Sequence, residues 1–241
     1  MMLSTPNPTF SSDRAVARRI GVHVMARARR AAVGRIDLAP TAGGFGTPAF
    51  GDDHRVVRLS GDLFAVDSTA DVATTRIMHA DGASLRQLAA FVGVDLSTPL
   101  DVGHDTPPLG DIDEPLRLAA ASVALIGEWL ALGARVLDTV LAALPSTADP
   151  ARVRLWPEHF DLGTDVGVGA GRRVNLGVSP GDDFHAAPYL YIAPWDPDRP
   201  GDPAYWNAPF GAVLGYDDVA AEPDVITAGV AFLRDGISRF D

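Results

Sequence analysis

The sequence of 241 residues contains no cysteine and no lysine. Without cysteine the chain cannot form a disulfide, and it has no thiolate to act as a nucleophile or to ligate zinc or an iron–sulfur cluster. Without lysine it cannot hold pyridoxal phosphate covalently, and it lacks the residue that a Walker-type phosphate loop requires. The side chains left for chemistry are His, Asp, Glu, Ser, Thr and Tyr, with arginine as an electrostatic partner.

The chain is strongly acidic, and this argues against nucleic acid as a partner. The formal net charge is -11 and the pI is near 4.8, and nucleic-acid binding depends on many basic side chains that neutralise phosphates. The first ten residues lack the basic start and apolar run of a secretory signal. The longest apolar region, 118–144, is interrupted by Glu128, Arg135 and Asp138. We therefore expect a soluble, cytoplasmic protein without nucleic-acid or membrane partners.

The first half of the chain, 12–93, reads as a helix, several strands and a second helix. Val16, Ile20 and Val24 recur at a spacing of four and predict a helix over 12–33, which Gly34 ends. The remaining predicted elements are a strand at 35–39, a hairpin of 55–59 with 63–66, a strand at 75–79 and a helix at 84–92.

The second half of the chain, 113–241, repeats this order after a predicted linker at 94–112. A long central helix is predicted to begin near Pro115 with Asp113 as its cap. Strands follow within 152–195 and at 208–216, and a last helix begins near Pro223. The sequence thus predicts an α+β protein with a mostly antiparallel sheet, in which two similarly ordered halves pack into one body.

Two segments of the first half have both a structural and a ligand-binding interpretation. Seven arginines lie between Arg14 and Arg35, and a solvated face that pairs with acidic neighbours is favoured over an anion-binding surface. The loop 40–48 is rich in glycine, and a plain turn is favoured there over close approach of the backbone to a ligand.

Residues 152–195 hold the highest density of chemically capable side chains. If Trp156 to Leu162 is one strand, His159 and Asp161 lie on the same face, because side chains alternate along a strand. Asp182 and His185 follow in a turn after Ser179-Pro180-Gly181, and such turns often present polar groups to a cleft.

These residues define alternative candidate sites. His159, Asp161, Asp182 and His185 form a nitrogen and oxygen set suited to Zn, Mn or Fe(II) as a cofactor. Alternatively, His159 or His185 acts as a general base without a metal, oriented by a carboxylate such as Asp161. His104 and Asp105 could also reach a site, although a capped turn is favoured for them. A structural role is also favoured for the other four, with Asp161 and Asp182 binding backbone amides and both histidines at the surface.

A substrate pocket is the next expectation. Trp156, Tyr189 and Tyr191 are candidate substrate-binding residues, with Arg173 to hold an anionic group. Tyr189 and Tyr191 share a face of their strand. Core packing is the alternative, because aromatic rings dominate the buried area of any domain.

The order of motifs is similar to an uncharacterised bacterial family of unknown function. The resemblance rests on Gly34-Arg35-Ile36, the segment Trp156 to Leu162, Pro180-Gly181, Pro188 to Tyr191 and Tyr216-Asp217. It implies the fold and carries no activity. Thr41 to Phe45 departs from the histidine and tryptophan cluster of those proteins, and His159 stands where some of them have a small residue.

Two classes of function follow from the sequence. The first is a small-molecule enzyme with a site of histidine and carboxylate groups, performing metal-dependent hydrolysis or related polar chemistry. The second is a non-catalytic protein that binds a ligand or a partner through its aromatic residues and its arginine-bearing helix.

Overall fold

The computed structural model describes residues 3–70, 72–98 and 100–240 and divides into two compact units. The first unit comprises Ser4–Glu128 and Leu155–Phe160, and the second unit comprises Leu3, 129–154 and 161–240. The described residues form two five-stranded antiparallel sheets with helices, one sheet in the first unit and the other, except for most of its edge strand, in the second. The predicted α+β class is therefore confirmed.

The sheet of the first unit is a simple antiparallel series in the order β1-β2-β3-β4-β5. Phe45, Leu59 and Phe64 are directly paired across three neighbouring strands and are fully buried, so they form the centre of its core. The elements are α1 (Phe10–Ile20), a π-helical segment (Gly21–Ala26), α2 (Arg27–Val33), β1 (Ala39–Thr41), β2 (Gly44–Gly46), β3 (Val56–Ser60), β4 (Leu63–Ser68), β5 (Thr74–His79) and α3 (Leu85–Val92).

The helices of the first unit follow their sequence signals. The predicted helix 12–33 is present as α1, the π-helical segment and α2, and Gly34 ends it with a left-handed φ of 69°. Ser84 caps α3 by accepting from the backbone N–H of Gln87, whose side chain accepts from the backbone N–H of Ser84. This reciprocal capping box explains why the helix begins where the sequence predicts.

The glycine-rich loop forms the hairpin of β1 and β2. A Cβ at Gly44 would clash with the backbone carbonyl of Leu59, and a Cβ at Gly127 in the long helix would clash with the backbone of Gly44. The glycines therefore allow close packing of the backbone, in agreement with the structural interpretation. The strand predicted at 35–39 begins only at Ala39.

The predicted linker 94–112 has no helix or strand among its described residues and belongs to the first unit. Side chains of the first helix hold it by donating to its main-chain carbonyls. Buried Arg27 donates to the carbonyls of Asp95 and Thr98 at 3.0 and 2.9 Å. The same role is played by Arg18 at Asp105, Arg19 at Leu109 and Asp111, and Arg30 at Asp101.

The predicted pairing with acidic neighbours is present where Arg29 and Arg35 bind Asp37, but other arginines of the helix bind main-chain carbonyls instead. An irregular segment leaves carbonyl groups that need donors, and a guanidinium has five N–H groups in a fixed fork. The arginines donate to these main-chain carbonyls. The sequence does not predict these bonds, because it shows which side chains are acidic but not which carbonyls lack a donor.

The long helix α4 (Ala120–Ala142) has 23 residues. Its predicted start near Pro115 is wrong, because Pro115 forms a bridge with Ser84, and Asp113 binds Arg86 instead of capping the helix. In the part of the chain that the structure describes, α4 is the one helix long and apolar enough to cross a membrane, and 61% of its most apolar 18-residue window is buried. A buried core helix of a globular protein can have the same length and the same apolar composition as α4.

The sheet of the second unit has the order β10-β9-β8-β7-β6. Leu162, Val178 and Leu190 are paired across its middle strands and are buried on one face. The elements are β6 (Arg154–Trp156), β7 (Asp161–Gly167), β8 (Arg173–Ser179), β9 (Tyr189–Pro194), β10 (Ala212–Gly215), α5 (Tyr216–Ala220) and α6 (Val225–Ser238).

Small residues bring helices close to this buried face. A Cβ at Gly133 of α4 would overlap the side chain of Val178, and a Cβ at Gly229 of α6 would lie 3.0 Å from Cδ2 of Leu190. The opposite face of the sheet carries Asp161, Tyr189 and Tyr191, because successive side chains alternate.

The prediction of one strand from Trp156 to Leu162 is wrong. The chain turns after β6, the N–H of Phe160 donates to the carbonyl of Trp156 at 2.7 Å, and Phe160 has a positive φ of 58°. A residue in this conformation cannot continue a strand. His159 therefore belongs to a turn of the first unit, whereas Asp161 begins β7 of the second unit.

Candidate functional site

The turn that carries His159 is anchored by the residue after it. Phe160 is 1% exposed, and its ring packs edge to face against Phe45 at 4.9 Å between centroids. The positive φ of a bulky residue costs free energy, about 1–3 kcal/mol, and persists only where the surroundings enforce it. Burial of the Phe160 ring against Phe45 stabilises this backbone conformation, and the turn therefore has a defined position for His159.

Asp105 lies between two histidines. Its Oδ2 is 2.9 Å from Nδ1 of His159 and 3.2 Å from Nε2 of His104, and the two imidazole rings are 6.0 Å apart. An ionised carboxylate only accepts hydrogen bonds. In the tautomer of His159 with its hydrogen on Nδ1, the lone pair of Nε2 is the one left to accept a proton.

The backbone around Asp105 is built as a tight polar turn. Gly103 has a φ of 143°, and its carbonyl accepts from the hydroxyl and the N–H of Thr106 at 2.6 and 3.0 Å. Its N–H donates to the carboxylate of Asp101 at 3.0 Å. Arg18 of α1 donates to the carbonyl of Asp105. These bonds fix the Asp105 backbone, which a residue other than glycine at position 103 would strain.

Glu158 also lies against this turn. The residue is 7% exposed, and a Cβ placed on Gly103 would lie 3.7 Å from Cγ and 3.9 Å from Oε1 of Glu158. Glu158 and His159 therefore both lie against the three residues Gly103 to Asp105, one from a buried position and one from the surface.

The histidine and aspartate are accessible to a small molecule. The side chain of His159 is 45% exposed and that of Asp105 is 42% exposed, whereas His104 is 87% exposed. The arrangement of a histidine beside a carboxylate is one that enzymes use for proton transfer.

Asp161, Tyr191 and two glycines form a separate arrangement in the second unit. The hydroxyl of Tyr191 donates to Oδ2 of Asp161. Burial, together with the charge of Asp161, raises the pKa of Tyr191 well above its usual value. The ring covers Gly177 and Gly163, where added Cβ atoms would lie 2.5 and 2.8 Å from the Tyr191 hydroxyl oxygen. Tyr191 therefore remains a hydrogen-bond donor at neutral pH.

Asp182 organises the turn that contains His185. Its Oδ1 accepts from the N–H groups of Phe184 and His185, both at 2.9 Å, and its Oδ2 accepts from the hydroxyl of Tyr189 at 2.5 Å. Burial, then this carboxylate, raises the pKa of Tyr189. Nδ1 of His185 lies 2.8 Å from the carbonyl of Ala187. In this turn the carboxylate of Asp182 satisfies backbone amides, as the structural alternative expects.

The four predicted substrate-binding residues, Tyr189, Tyr191, Arg173 and Trp156, lie in three different strands. Tyr189 and Tyr191 share a face of β9 with their rings 6.3 Å apart, in keeping with strand alternation. Arg173 pairs with Asp165 and donates to the carbonyl of Asp149 at 3.0 Å. Trp156 ends β6 in the first unit and is half-buried.

The predicted metal shell is not assembled. Within residues 3–70, 72–98 and 100–240, no group of three or more His, Asp or Glu side chains could hold a metal ion. His159 instead pairs with Asp105, Asp161 binds Tyr191, and Asp182 binds its own turn and Tyr189. The four residues predicted as ligands are thus bound to different protein partners.

Asp105 is a candidate site residue that the sequence indicates only weakly. The signal was the pair His104-Asp105 in an irregular segment, where polar groups are often functional. Nothing local in the sequence says that this segment meets the turn that carries His159.

Comparison with protein-family models, with curated proteins and with solved structures finds no match for this chain.

Proposed function

We propose that the protein is a small-molecule enzyme in which His159 acts as a metal-free general base, oriented by Asp105. The observation that carries this proposal is the 2.9 Å contact between Nδ1 of His159 and Oδ2 of Asp105, on a turn with a strained and buried neighbour. In this proposal Asp105 favours the tautomer of His159 with its hydrogen on Nδ1, and Nε2 acts on the substrate.

The reaction class that fits best is hydrolysis or a related polar reaction. Nε2 of His159 removes a proton from water or from a substrate hydroxyl or amine as that atom attacks an electrophilic carbon or phosphorus. Asp105 stabilises the imidazolium that forms, and the same proton then passes to the leaving group. Catalysis by one positioned acid–base group contributes roughly 10²–10⁴-fold. His104, which touches the same carboxylate, is a second group that can exchange protons with solvent.

A loss of turnover in a His159 variant tests the proposal. Purified protein is incubated with a mixture of cellular metabolites, and consumption is followed by mass spectrometry in parallel with His159→Gln. We expect at least one metabolite to be consumed, and its rate to fall by about 10²-fold or more in the variant. A matched control is His79→Gln, because His79 forms a similar contact of 2.7 Å with Asp62 on the surface of the same unit.

Equal rates in the wild type and His159→Gln would refute the general-base role. The same conclusion would follow if the wild type consumed no metabolite in the mixture under conditions where its fold is intact. A rate that falls in His79→Gln as much as in His159→Gln would also count against a specific site.

A second candidate function is supported by an aromatic cluster in the second unit. Phe184 is 45% exposed, and its ring lies 5.1 Å from Phe210 and 6.2 Å from Tyr189. An exposed ring among partly buried rings is suited to bind an apolar ligand. In a non-catalytic protein, Phe184→Ala would reduce ligand binding while His159→Gln leaves it unchanged.

A further inference from the structure

Strand β5 is an exposed edge of the sheet of the first unit. It is the outermost strand in the order β1-β2-β3-β4-β5, and five of its six residues are exposed. Ile77 is an apolar residue of this strand and is 53% exposed. The outer side of an edge strand presents main-chain N–H and C=O groups with which another strand can pair. The edge of β5 is therefore a surface that can take up a further strand.

The other sheet edges of the described residues are protected. β1 has three residues and contains Pro40, which has no N–H to donate. At the edge of β10, the amide of Asn207 donates to the carbonyl of Val213 at 3.0 Å and accepts from its N–H at 2.8 Å. In β6, Leu155 exchanges main-chain hydrogen bonds with Leu38 at 2.8 and 3.2 Å. β5 is longer than these three strands and contains neither a proline nor a bulge.

The pairing of β5 with β4 determines which of its main-chain groups face outward. Just beyond the end of β5, the N–H of Ala80 donates to the carbonyl of Asp62 at 2.7 Å, in register with the pairs of the two strands. Hydrogen-bonded and non-hydrogen-bonded pairs alternate along an antiparallel ladder. Thr75, Ile77 and His79 therefore direct their N–H and C=O groups away from β4.

The ionisable side chains of β5 are engaged within the first unit. Arg76 donates to the carbonyl of Phe91 in α3 at 2.9 Å, and its guanidinium carbon lies 4.6 Å from the centre of the Phe91 ring. Nδ1 of His79 lies 2.7 Å from the carboxylate of Asp62, in the turn before β4. Charged side chains that project from an edge strand prevent pairing in many proteins. Here both side chains are directed to neighbours in the same unit.

From these observations we propose that two copies of this chain pair through β5, antiparallel and about a twofold axis at Ile77. In this register Ile77 pairs with its counterpart in the second copy, and Thr75 pairs with His79. Every outward-facing residue of β5 then has a partner, which gives about six main-chain hydrogen bonds. A twofold interface requires a surface that is complementary to itself, and the edge of β5 has this property in the register about Ile77.

The side chains favour a second copy as the occupant of this edge. The two Ile77 side chains lie opposite each other and remove apolar surface from water. Leu63, which is 37% exposed and is paired with His79, extends the apolar surface on the same face. On the other face Arg76 lies opposite Met78, so that no like charges are directly opposed. The contact is smaller than the standard interface of about 1,200–2,000 Å², and we therefore expect a weak dimer.

Sedimentation velocity of the full chain tests this pairing. We expect the wild type to change from monomer near ~1 µM to dimer near ~1 mM, as a weak interface does. Ile77→Lys and Ile77→Glu each place like charges opposite each other and should raise the dissociation constant at least tenfold. An equimolar mixture of these two variants should recover the dimer, because opposite charges then meet across the axis. Val33→Lys, at an exposed apolar position at the end of α2, should dimerise as the wild type does.

The absence of cysteine from the chain permits a direct test of the register. In the proposed pair the Cα atoms of the two residues at position 77 lie about 5.5 Å apart, within the range of about 4.4–6.8 Å that a disulfide spans. The two residues at position 75 lie about 13 Å apart along the strands, because each is paired with His79 instead. Ile77→Cys should therefore give a crosslinked dimer on oxidation with diamide, and Thr75→Cys should not.

Three results would overturn the inference. A wild type that stays monomeric up to ~1 mM would leave the edge of β5 for a strand of another protein. A dimer that persists in both Ile77→Lys and Ile77→Glu would place the interface elsewhere on the molecule. Equal crosslinking of Ile77→Cys and Thr75→Cys would contradict the register. The mixture of the two charged variants separates loss of pairing from loss of folding, because unfolded chains would not recover the dimer.

Discussion

The proposed general-base role of His159 depends on which ring nitrogen carries the hydrogen. Asp105 can only accept, so His159 is expected to be the Nδ1–H tautomer, and Asp105→Ala removes the reason for that preference. Long-range ¹H–¹⁵N spectra of the side chain should show Nδ1–H in the wild type and a shift toward Nε2–H in the variant. Asp62→Ala, which removes the partner of His79 instead, should leave the His159 spectrum unchanged.

His23 provides a prediction on pH. It is 2% exposed, with Nε2 2.8 Å from the carbonyl of Pro107, and burial, with Arg27 and Arg19 nearby, lowers the pKa of His23 below its ordinary value of 6.5. Below pH 6.5 the unfolded chain binds the proton and the folded one resists it. The free energy of unfolding should therefore fall as the pH drops from 6.5 toward the lowered pKa.

Chemical denaturation at a series of pH values measures this effect. His23→Gln keeps a donor for the Pro107 carbonyl but cannot be protonated, so the slope below pH 6.5 should be smaller than in the wild type. His79→Gln, at an exposed position of the same unit, is the comparison variant for the loss of a histidine. An unchanged slope in His23→Gln would show that His23 is not the group responsible.

Tyr191→Phe should destabilise the second unit. The hydroxyl donates to the charged Asp161, and a hydrogen bond to a charged group contributes about 1.5–3 kcal/mol. Tyr205→Phe is the matched control, because its hydroxyl donates to a neutral acceptor, the carbonyl of Phe232, at 2.9 Å. Thermal denaturation should show the larger loss for Tyr191→Phe. A larger loss for Tyr205→Phe would contradict the assignment.

Single residues were predictable where the cause is local. Strand alternation placed Tyr189 and Tyr191 on one face, and the positions of Gly34 and Ser84 marked helix ends. The contact of His159 with Asp105 depends on residues far apart in the chain, which no local pattern encodes.

At the scale of elements, the first helix and the segment 94–112 depend on each other. Arg27 is 7% exposed and donates through one nitrogen to two main-chain carbonyls, those of Asp95 and Thr98. Arg27→Lys keeps the charge, but lysine lacks the planar fork and loses charge readily when buried. We expect faster hydrogen exchange throughout the described part of 94–112 and a loss of about 1–3 kcal/mol in stability.

Hydrogen exchange followed by mass spectrometry checks this expectation. Arg117→Lys, at an exposed position, should exchange as the wild type does. Unchanged protection of 94–112 in Arg27→Lys would mean that the arginine is not needed to hold the segment.

The first helix was correctly predicted from its periodicity, whereas the strand at 35–39, the strand across Trp156 to Leu162 and the start of the long helix were not. The stripe of Val16, Ile20 and Val24 gave the first helix, although the π-helical segment within it has no local signal. The strand predicted across Trp156 to Leu162 is interrupted because Phe160 adopts a positive φ, which is not expected for a phenylalanine. The long helix begins later than predicted because Pro115 is engaged by Ser84.

At the scale of the whole molecule, composition and the order of elements were enough for the fold class. Neighbouring strands in sequence are neighbours in each sheet, so two antiparallel sheets follow from the hairpins alone. The absence of cysteine and lysine restricted the possible chemistry to histidine, carboxylates and hydroxyls, and the structure assembles His159, Asp105, His104 and Glu158 at the turn Gly103 to Asp105. Only the three-dimensional structure reveals that these four residues meet.

The most direct test of the general-base role compares Asp105→Asn with Asp62→Asn. Both variants remove a carboxylate partner from a histidine of the first unit, and only Asp105 contacts His159. With the metabolite that the wild type consumes, we expect a rate at least about 10²-fold lower for Asp105→Asn and an unchanged rate for Asp62→Asn. Equal rates for Asp105→Asn and the wild type would contradict the assignment of His159 and Asp105 as the acid–base pair.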